Sequence, residues 1–591
     1  MKRLLLIFAL LLSAITLTIA QRTVSGTVTG DDGSPLIGAT VFVRGTATGT
    51  VTDIDGNYSI NVPAGARTLI FSYTGFETEE VEIGDQSIIN LTLRQGITLS
   101  EAVVTALGVQ REEKALGYAV QEVGGDQLTI SNDINFVSSL SGKVAGVQVI
   151  SSSGASIGGS AKVRVRGVSS LVGGDPLYIV DGTPIANENF SSGDGGTDYG
   201  NLAADIPTND IEKISVLKGP AATALYGERA SNGVVMITTK KGTFGKKGLG
   251  VTLSSTLSGD RVYILPEYQN EYGGGYDQAW EETIDPVDGK SYRILNYSAD
   301  ESWGPKMDGT SYRPYWSWYP GTSDYGTEIP LSPNPDNVRN FFDTGITNIN
   351  NVSIEGGAEN TGFRFGFTNL NQTGVMPNSE LDRNSLNLNV RHKLAKRLTL
   401  GVNANLVFTD GSGRPEFGYS TRGGNPVNSF NQWFQRQLDM DRLADYKNPD
   451  GTFRSWNIKS ASDPTPLYWD SPYFSVYENV RTDSRDRYFG DINLAYEILD
   501  GLRLTGALRR DNFTQRIEER VANGGLEEPW YREFVANGTE DNYELIGNYQ
   551  KYFGNISFDA MAGGNIRHNR KHQKDAPTVC GTTTPKLFNT I

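Results

Sequence analysis

The sequence predicts a mainly β protein in three parts: an N-terminal β-sandwich, an α+β module, and the first part of a transmembrane antiparallel β-barrel that is incomplete. Two observations about composition start the argument. The 591 residues include 68 glycines and are 10% aromatic, which favours many turns and half-buried strands over helical bundles. No stretch after the first twenty residues approaches 18 consecutive apolar residues, so any membrane crossing has to be made with strands. The third observation is rhythm: beyond residue 246, apolar and polar residues alternate in hairpins whose connections are by turns short and long.

Taken in chain order, the first element is a leader. Met1-Lys2-Arg3 is a positive start, Leu4 to Ile19 is apolar and uncharged, and Thr18-Ile19-Ala20 offers small residues at the positions a signal peptidase reads, so residues 1–20 are expected to be a cleaved signal peptide. No Cys follows the cut to take a lipid. The formal charge of -15 leaves no basic field to neutralise phosphates, which argues against nucleic acid as a partner. The single cysteine, Cys580, can form neither an internal disulfide nor a Cys metal cluster.

Residues 21–95 read as the sandwich, with VSGTVTG, ATVFVRG, TGTVTD, YSINV, TLIFSYTG and INLTL as strands between Gly, Asp and Asn turns. Asp53-Ile54-Asp55-Gly56-Asn57 resembles the start of a calcium loop, but it lacks flanking helices and a later Glu ligand, so a hairpin turn is expected. Residues 99–108 form a linker containing LSEAVVTAL, which has strand composition and no obvious sheet. Residues 109–242 mix short strands (VAGVQVI, KVRVRGV, PLYIVDG, KISVLKG, VVMITTK) with polar Gly/Ser segments. Asp210 to Ile214 and Ala221 to Arg229 are expected as short helices between them.

From 246 to 591 the pattern is that of membrane hairpins. Leu386, Leu388 and Val390 alternate with Asn387, Asn389 and Arg391, and after a tight turn the phase resumes at Leu398, Leu400 and Val402. The expected long connections are about 259–350, 409–485 and 513–540, with an intermediate loop at 371–384 and tight turns between. Short turns on one side and long loops on the other are what an outer-membrane barrel produces. The long loops are rich in Trp and Tyr, as in Tyr312 to Tyr319 and Phe430 to Phe434. Such side chains suit stacking on sugars or packing on peptides, or they order the loops themselves.

Catalytic constellations are not expected. Gly154-Ala155-Ser156-Ile157-Gly158 matches a nucleophile elbow, but the three histidines, His392, His568 and His572, all lie in the barrel-like region, far from where a base would be needed. His568 and His572 have helical metal-pair spacing inside a strand-like segment, so solvated residues at a strand end are expected instead of a metal site. No cofactor, metal or enzymatic step is predicted.

Several of these segments together resemble the TonB-dependent outer-membrane importers, and within them the SusC/RagA-like branch of Bacteroidota. SLSGKVAGVQV (139–149), KVRVRGVSSL (162–171), PLYIVDGTPI (176–185) and DIEKISVLKGPAATALYGERASNGVVMITTKKG (210–242) are similar to that family's plug domain. PLIGATVFVRGT and TDIDGNYSINV resemble its carboxypeptidase-regulatory-like sandwich, and LPEYQNEYGGG (265–275), SWGPKMDG (302–309) and NVRNFFDTG (337–345) resemble its early barrel. The resemblance implies a TonB box at Glu101, Ala102, Val103, Val104, Thr105 and Ala106, between sandwich and plug, where an extended strand adds to the edge of TonB. Glu101 and the charges from Arg111 to Lys114 are expected to keep that strand from pairing with copies of itself. The implied partners are TonB, a SusD-like surface lipoprotein, outer-membrane lipid, and a glycan or oligopeptide cargo. The implied location is the bacterial outer membrane, with the sandwich and TonB box in the periplasm and the long loops outside.

A signal-transducing receptor is a second reading, and a surface adhesin a third. The sandwich-like first module weighs against the former, and the long plug-like run against the latter. About nine strands are expected after residue 248, against about 22 in transporter barrels around a plugged lumen. The chain is therefore expected to be an N-terminal fragment or a truncated reading frame, and not a working transporter alone.

Overall fold

The computed structural model describes residues 22–578, apart from 95–101, 105–109, 113–119, 152–156, 168–173, 192–195, 219–222, 419–424 and a few gaps of one or two residues. The expected signal peptide, the Gly154–Ser156 part of the elbow motif and Cys580 lie outside the described residues. The chain divides into two compact units, one holding residues 1–105 with 109–117 and the other holding the remainder.

The first unit is a two-sheet sandwich. Strands β1 (Arg22–Gly30), β2 (Thr40–Val43), β3 (Gly49–Val51), β4 (Asn57–Val62), β5 (Thr68–Ser72), β6 (Glu79–Glu82) and β7 (Leu91–Leu93) form sheets ordered β4-β1-β7 and β3-β2-β5-β6. Strict alternation drives this packing: in β4, Tyr58, Ile60 and Val62 are buried while Asn57, Ser59 and Asn61 are exposed. Val28, Val41, Leu69, Phe71 and Leu93 join them in one core. The calcium-like motif is a turn, as its context implied. The Asp53 carboxylate accepts hydrogen bonds from the Asp55 and Asn57 amides at 3.0 and 2.8 Å, and Gly56 takes φ 77°. Two three-residue strands follow, β8 (Ala102–Val104) and β9 (Gln110–Glu112).

The second unit begins with an α+β module: β10 (Val120–Gly124), β11 (Val147–Ser151), β12 (Ala161–Val165), β13 (Leu177–Val180), β14 (Thr183–Ile185), β15 (Asn189–Ser191), β16 (Asp198–Asn201), β17 (Ile211–Leu217) and β18 (Val234–Thr239). Its main sheet runs β10-β17-β18-β13-β14, with β13 and β18 parallel. Strand β13 is buried at every position, which explains its continuous apolar run. The β13–β14 hairpin turns on Asp181-Gly182, both with positive φ (48° and 87°), the conformation for which Asp-Gly is selected in two-residue turns. One expectation fails here. Asp210 to Ile214 is not a helix, since Ile211 already opens β17. The register shifts between Ile211 and Lys213, and this bulge places Ile211 and Ile214 in one core at helix-like spacing. Of the other expected helix, the described residues Thr223 and Tyr226 are helical, the Gly227 amide donates to the Thr223 carbonyl at 2.8 Å, and a 3₁₀ turn follows at Glu228–Ala230.

The rest of the unit is a single antiparallel sheet of nine strands among the described residues. In order these are β19 (Leu249–Asp260), then, beyond four short loop strands β20 (Glu281–Ile284), β21 (Ser291–Ile294), β22 (Ser311–Tyr312) and β23 (Ile329–Pro330), the strands β24 (Gly345–Ala358), β25 (Thr361–Thr373), β26 (Glu380–Ala395), β27 (Leu398–Ser412), β28 (Arg481–Leu499), β29 (Leu502–Val521), β30 (Trp530–Phe553) and β31 (Ile556–Pro577). Short turns at 359–360, 396–397 and 500–501 mark one end. The connections 261–344, 374–379, 413–480 and 522–529 mark the other.

Two expected loops are much shorter than the sequence suggested. Residues 371–373 and 380–384 belong to β25 and β26, and most of 513–540 belongs to β29 and β30. These strands continue past the length a bilayer needs, and there they carry paired charges where an apolar face would otherwise be. Arg510–Asp541 at 2.5 Å, Arg516–Glu533 at 2.9 Å and Arg532–Asp575 at 2.8 Å join neighbouring strands, so a charged composition reads as loop while the ladder goes on. His568 and His572 are likewise exposed positions within β31, not at its end.

The two long connections fold together. Leu331, Phe341, Phe430, Phe434, Leu443 and Trp456 share one buried core, with Phe341–Phe430 and Phe430–Phe434 ring centroids 5.0 and 4.8 Å apart. At its edge Arg313 is fully buried. It pairs with Asp285 at 2.5 Å and lies over the rings of Trp318 (3.6 Å), Tyr292 (4.6 Å) and Tyr325 (4.7 Å). Burial pushes the Asp285 carboxyl up, but hydrogen bonds from Arg313, the Val287 amide and Tyr325 more than offset this and hold it at about 2. Tyr312, Tyr315, Trp316, Trp318 and Tyr319 are all buried, so these aromatics order the loop.

Candidate functional site

The first candidate is the linker strand. Of the six residues at 101–106, Ala102, Val103 and Val104 are described and are extended. Glu101, Thr105 and Ala106 lie outside the described residues. The expectation of a bare strand does not hold. β8 pairs antiparallel with β9, Ala102 opposite Glu112, Val103 opposite Arg111 and Val104 opposite Gln110. The charged run, read as a guard against pairing between copies, supplies the partner within the chain through Arg111 and Glu112, because ladder hydrogen bonds come from the backbone whatever the side chains carry. A two-stranded hairpin of this length is marginal in water, so the pairing is reversible.

The second candidate is the surface between the α+β module and the sheet. Alternation along each long strand separates two faces. Phe365, Leu388, Leu406, Tyr488, Ile492 and Leu494 point outward and are exposed, while Arg364, Asn387, Asn389, Arg485 and Arg487 are buried against the module. The densest contact is on β28 and β29. Asp205, in a 3₁₀ turn of the module (Leu202–Asp205), accepts from Arg485 at 2.8 Å and Arg487 at 3.2 Å. Arg487 also grips Asp511 through two bonds of 2.9 and 3.0 Å and donates to the carbonyls of Leu202 and Ala186. Asp511 in turn accepts from the Ala186 amide at 2.8 Å. Every one of these charges is buried and matched, which is the condition for tolerating them out of water.

Further pairs extend the contact. Tyr199 donates to Glu519 at 2.8 Å, Arg229 and Glu540 form a two-bond pair at 2.9 and 3.1 Å, and Arg364 meets Asp210 at 2.7 Å. Arg414, beyond β27, pairs with Asp483 and donates to the Ile157 carbonyl of the module. None of these residues was read from sequence as part of this contact, although Asp210, Arg229 and Ile157 fall in segments noted there for other reasons. The available signal was the i, i+2 spacing of Arg485 and Arg487 and of Arg509 and Asp511, which puts each pair on one strand face. Among the described residues no group of His, Cys, Asp and Glu is placed to hold a metal ion.

Comparison with known proteins gives this arrangement its family. Residues 24–105 match the CarboxypepD_reg-like domain and residues 112–234 match the TonB-dependent receptor plug domain. TonB-dependent receptor P3 of Formosa agariphila is 31% identical over 580 residues, covering 95% of this chain and 49% of the relative. TonB-dependent receptor SusC of Bacteroides thetaiotaomicron is 29% identical over 585 residues, covering 96% of this chain and 52% of the relative. The chain belongs to the SusC-like TonB-dependent receptors. It spans about half the length of the curated relatives it matches. The fold of this SusC-like chain is also that of the RagAB peptide importer in its open-open state, with TM-score 0.60 and 21% identity over 83% of this chain and 52% of that one. The α+β module is thus the plug, and the nine strands form a large antiparallel sheet as in the family's barrels. The linker strand lies at the end of the first matched domain, just before the second begins.

Proposed function

We propose that this protein acts in TonB-dependent active import of nutrients, glycans or oligopeptides, across the bacterial outer membrane, together with a SusD-like surface lipoprotein. The observation that carries the reading is the plug latched by buried ion pairs to the polar face of a sheet whose other face is apolar. A stopper fixed inside a membrane wall needs work to move it, and diffusion through an open pore needs no such device.

The roles follow from position. The outward apolar face meets lipid, the plug closes the lumen, and the end bearing the folded loops faces outside, where the lipoprotein closes over it. Residues 101–106 receive TonB from the periplasm by strand addition, Val104 and its neighbours supplying main-chain donors and acceptors worth about 1 kcal/mol net each. No bond in the cargo is made or broken. Peptides and glycans stay open as cargo classes, since the loop aromatics singled out from sequence are consumed in the loop core.

Growth of a deletion strain on single purified glycans and on defined oligopeptides tests the reading. The expected result is loss of growth on one class, restored by the intact gene. Undiminished growth on every polymer, with a transcriptional response lost instead, would favour a signal-transducing receptor.

A further inference from the structure

Three cavities lie one above another between the plug and a single stretch of wall. The largest, ≈640 Å³, sits at the short-turn end and is lined by Thr252, Ser254, Asn351 and Ser353 of the wall and by Lys240 and Thr243 of the plug. A second, ≈400 Å³, sits at the long-loop end between Ile157 of the plug and Asp260, Gln372 and Thr373. Between them a crevice of ≈20 Å³, room for one water, is bounded by Thr208, Asn209, Ile349, Thr368 and Ser385. Asn209 borders both the lower cavity and the crevice. Along β24 the series runs from Gly345 to Glu355, about 34 Å of strand, comparable to a bilayer's hydrocarbon thickness.

Two closures interrupt this seam. Arg364 pairs with Asp210 between the lower cavity and the crevice, and Ile157, Ile349, Leu370 and Leu381 form an apolar cluster between the crevice and the upper cavity. Buried polar atoms along it have no partner in the protein: Asp210 Oδ2, Arg383 Nε, Ser385 Oγ and Gln372 Oε1. Unsatisfied groups of this kind are costly unless water or a polar solute serves them. None of the three cavities touches β28–β30, where Asp205, Arg485, Arg487 and Asp511 pin the plug.

We propose that this seam, walled by β19 and β24–β26, is the conduit by which hydroxyl- or amide-rich cargo passes the plug, while the β28–β30 side stays latched. The inference rests on the import reading and adds where the path opens. The lining mixes hydroxyls and carboxamides with charged groups, among them Glu212, Lys240, Glu355 and Arg391 in the lower cavity and Asp260 and Arg261 in the upper, which suits a solute rich in hydrogen-bonding groups better than a lipid, and the two closures are what energy input has to part.

The test uses the full-length receptor in cells, in a Cys580→Ser background, with a membrane-impermeant maleimide as the probe. Single cysteines are placed on the seam by Ser353→Cys and Thr368→Cys, and on the latched wall by Ala536→Cys, whose parent alanine is fully buried. The seam positions are expected to label several-fold faster in energised than in uncoupled cells, with Ala536→Cys unchanged. Adding Asp210→Asn, at equal surface level, is expected to speed labelling of Thr368→Cys even in uncoupled cells. Equal acceleration at Ala536→Cys, or acceleration there alone, would overturn the seam and leave import standing. No response to energisation at any position would remove the import reading and the seam with it.

Discussion

Asp205 shows how much at the residue scale depends on matching. It has no exposure and serves two arginines, Arg485 and Arg487, that are themselves buried. Replacing it with Asn removes the negative charge and leaves Arg485 buried without a carboxylate, while Arg487 keeps Asp511, which costs about 3 kcal/mol. Asp205→Asn is therefore expected to loosen plug from barrel, seen as faster hydrogen exchange in β16 and β28 with the sandwich unaffected. Asp470, in the long loop after β27, makes a different point. Burial pushes its carboxyl up to about 6, opposed by the Leu526 amide, which donates to it at 3.0 Å and ties the loop 522–529 to its neighbour. A raised carboxyl pKa means the folded state binds the proton more tightly, so stability falls as pH rises from about 4 to about 6 and stays low above that. Asp470→Asn keeps an acceptor for Leu526 without the charge. It is expected to gain about 1–2 kcal/mol at neutral pH, allowing for the carboxylate's partial exposure, and to flatten the pH dependence of exchange in 522–529. Neither partner set was legible in the sequence. Asp205 and Arg485 are 280 positions apart, and nothing local marks a residue for a partner that distant.

At the scale of elements, legibility followed period. The hairpins Leu386 to Val402 and Ile492 to Leu504 were readable because one face meets an apolar surround and the other a polar lumen, so side chains change character at every step. Where strands leave the membrane zone that contrast disappears, and 513–521 and 530–540 looked like loop although the ladder continues through Arg516 and Glu533. The bulge at Ile211 to Lys213 misled in the opposite direction by giving a strand helix-like spacing. The loop aromatics were visible, but their burial was not, because the core they build joins two connections separated by four strands of the sheet. That core yields a prediction: Arg313→Met leaves Asp285 buried and unpaired, and should destabilise the loop unit by about 3–5 kcal/mol. Proteolysis confined to 261–344 and 413–480, with the plug latch intact, is the expected sign. The β8–β9 hairpin was not anticipated either, since three backbone pairs leave no compositional trace.

The whole molecule combines a wall and a stopper with a proposed handle. The wall's outer face carries exposed apolar residues such as Phe365, Leu406 and Ile492, and its inner face holds the plug through buried charges. The proposed handle is the strand at 101–106, whose described residues Ala102–Val104 pair with Gln110–Glu112 in a marginal hairpin that a partner's edge can replace. Val104→Pro removes a backbone donor from the strand. The most direct test compares wild-type and Val104→Pro full-length receptor for binding of the purified periplasmic domain of TonB and for energised nutrient uptake. Val104→Pro is expected to lose both while its surface level and cargo binding stay at the wild-type value; unchanged uptake and TonB binding would refute strand addition at 101–106.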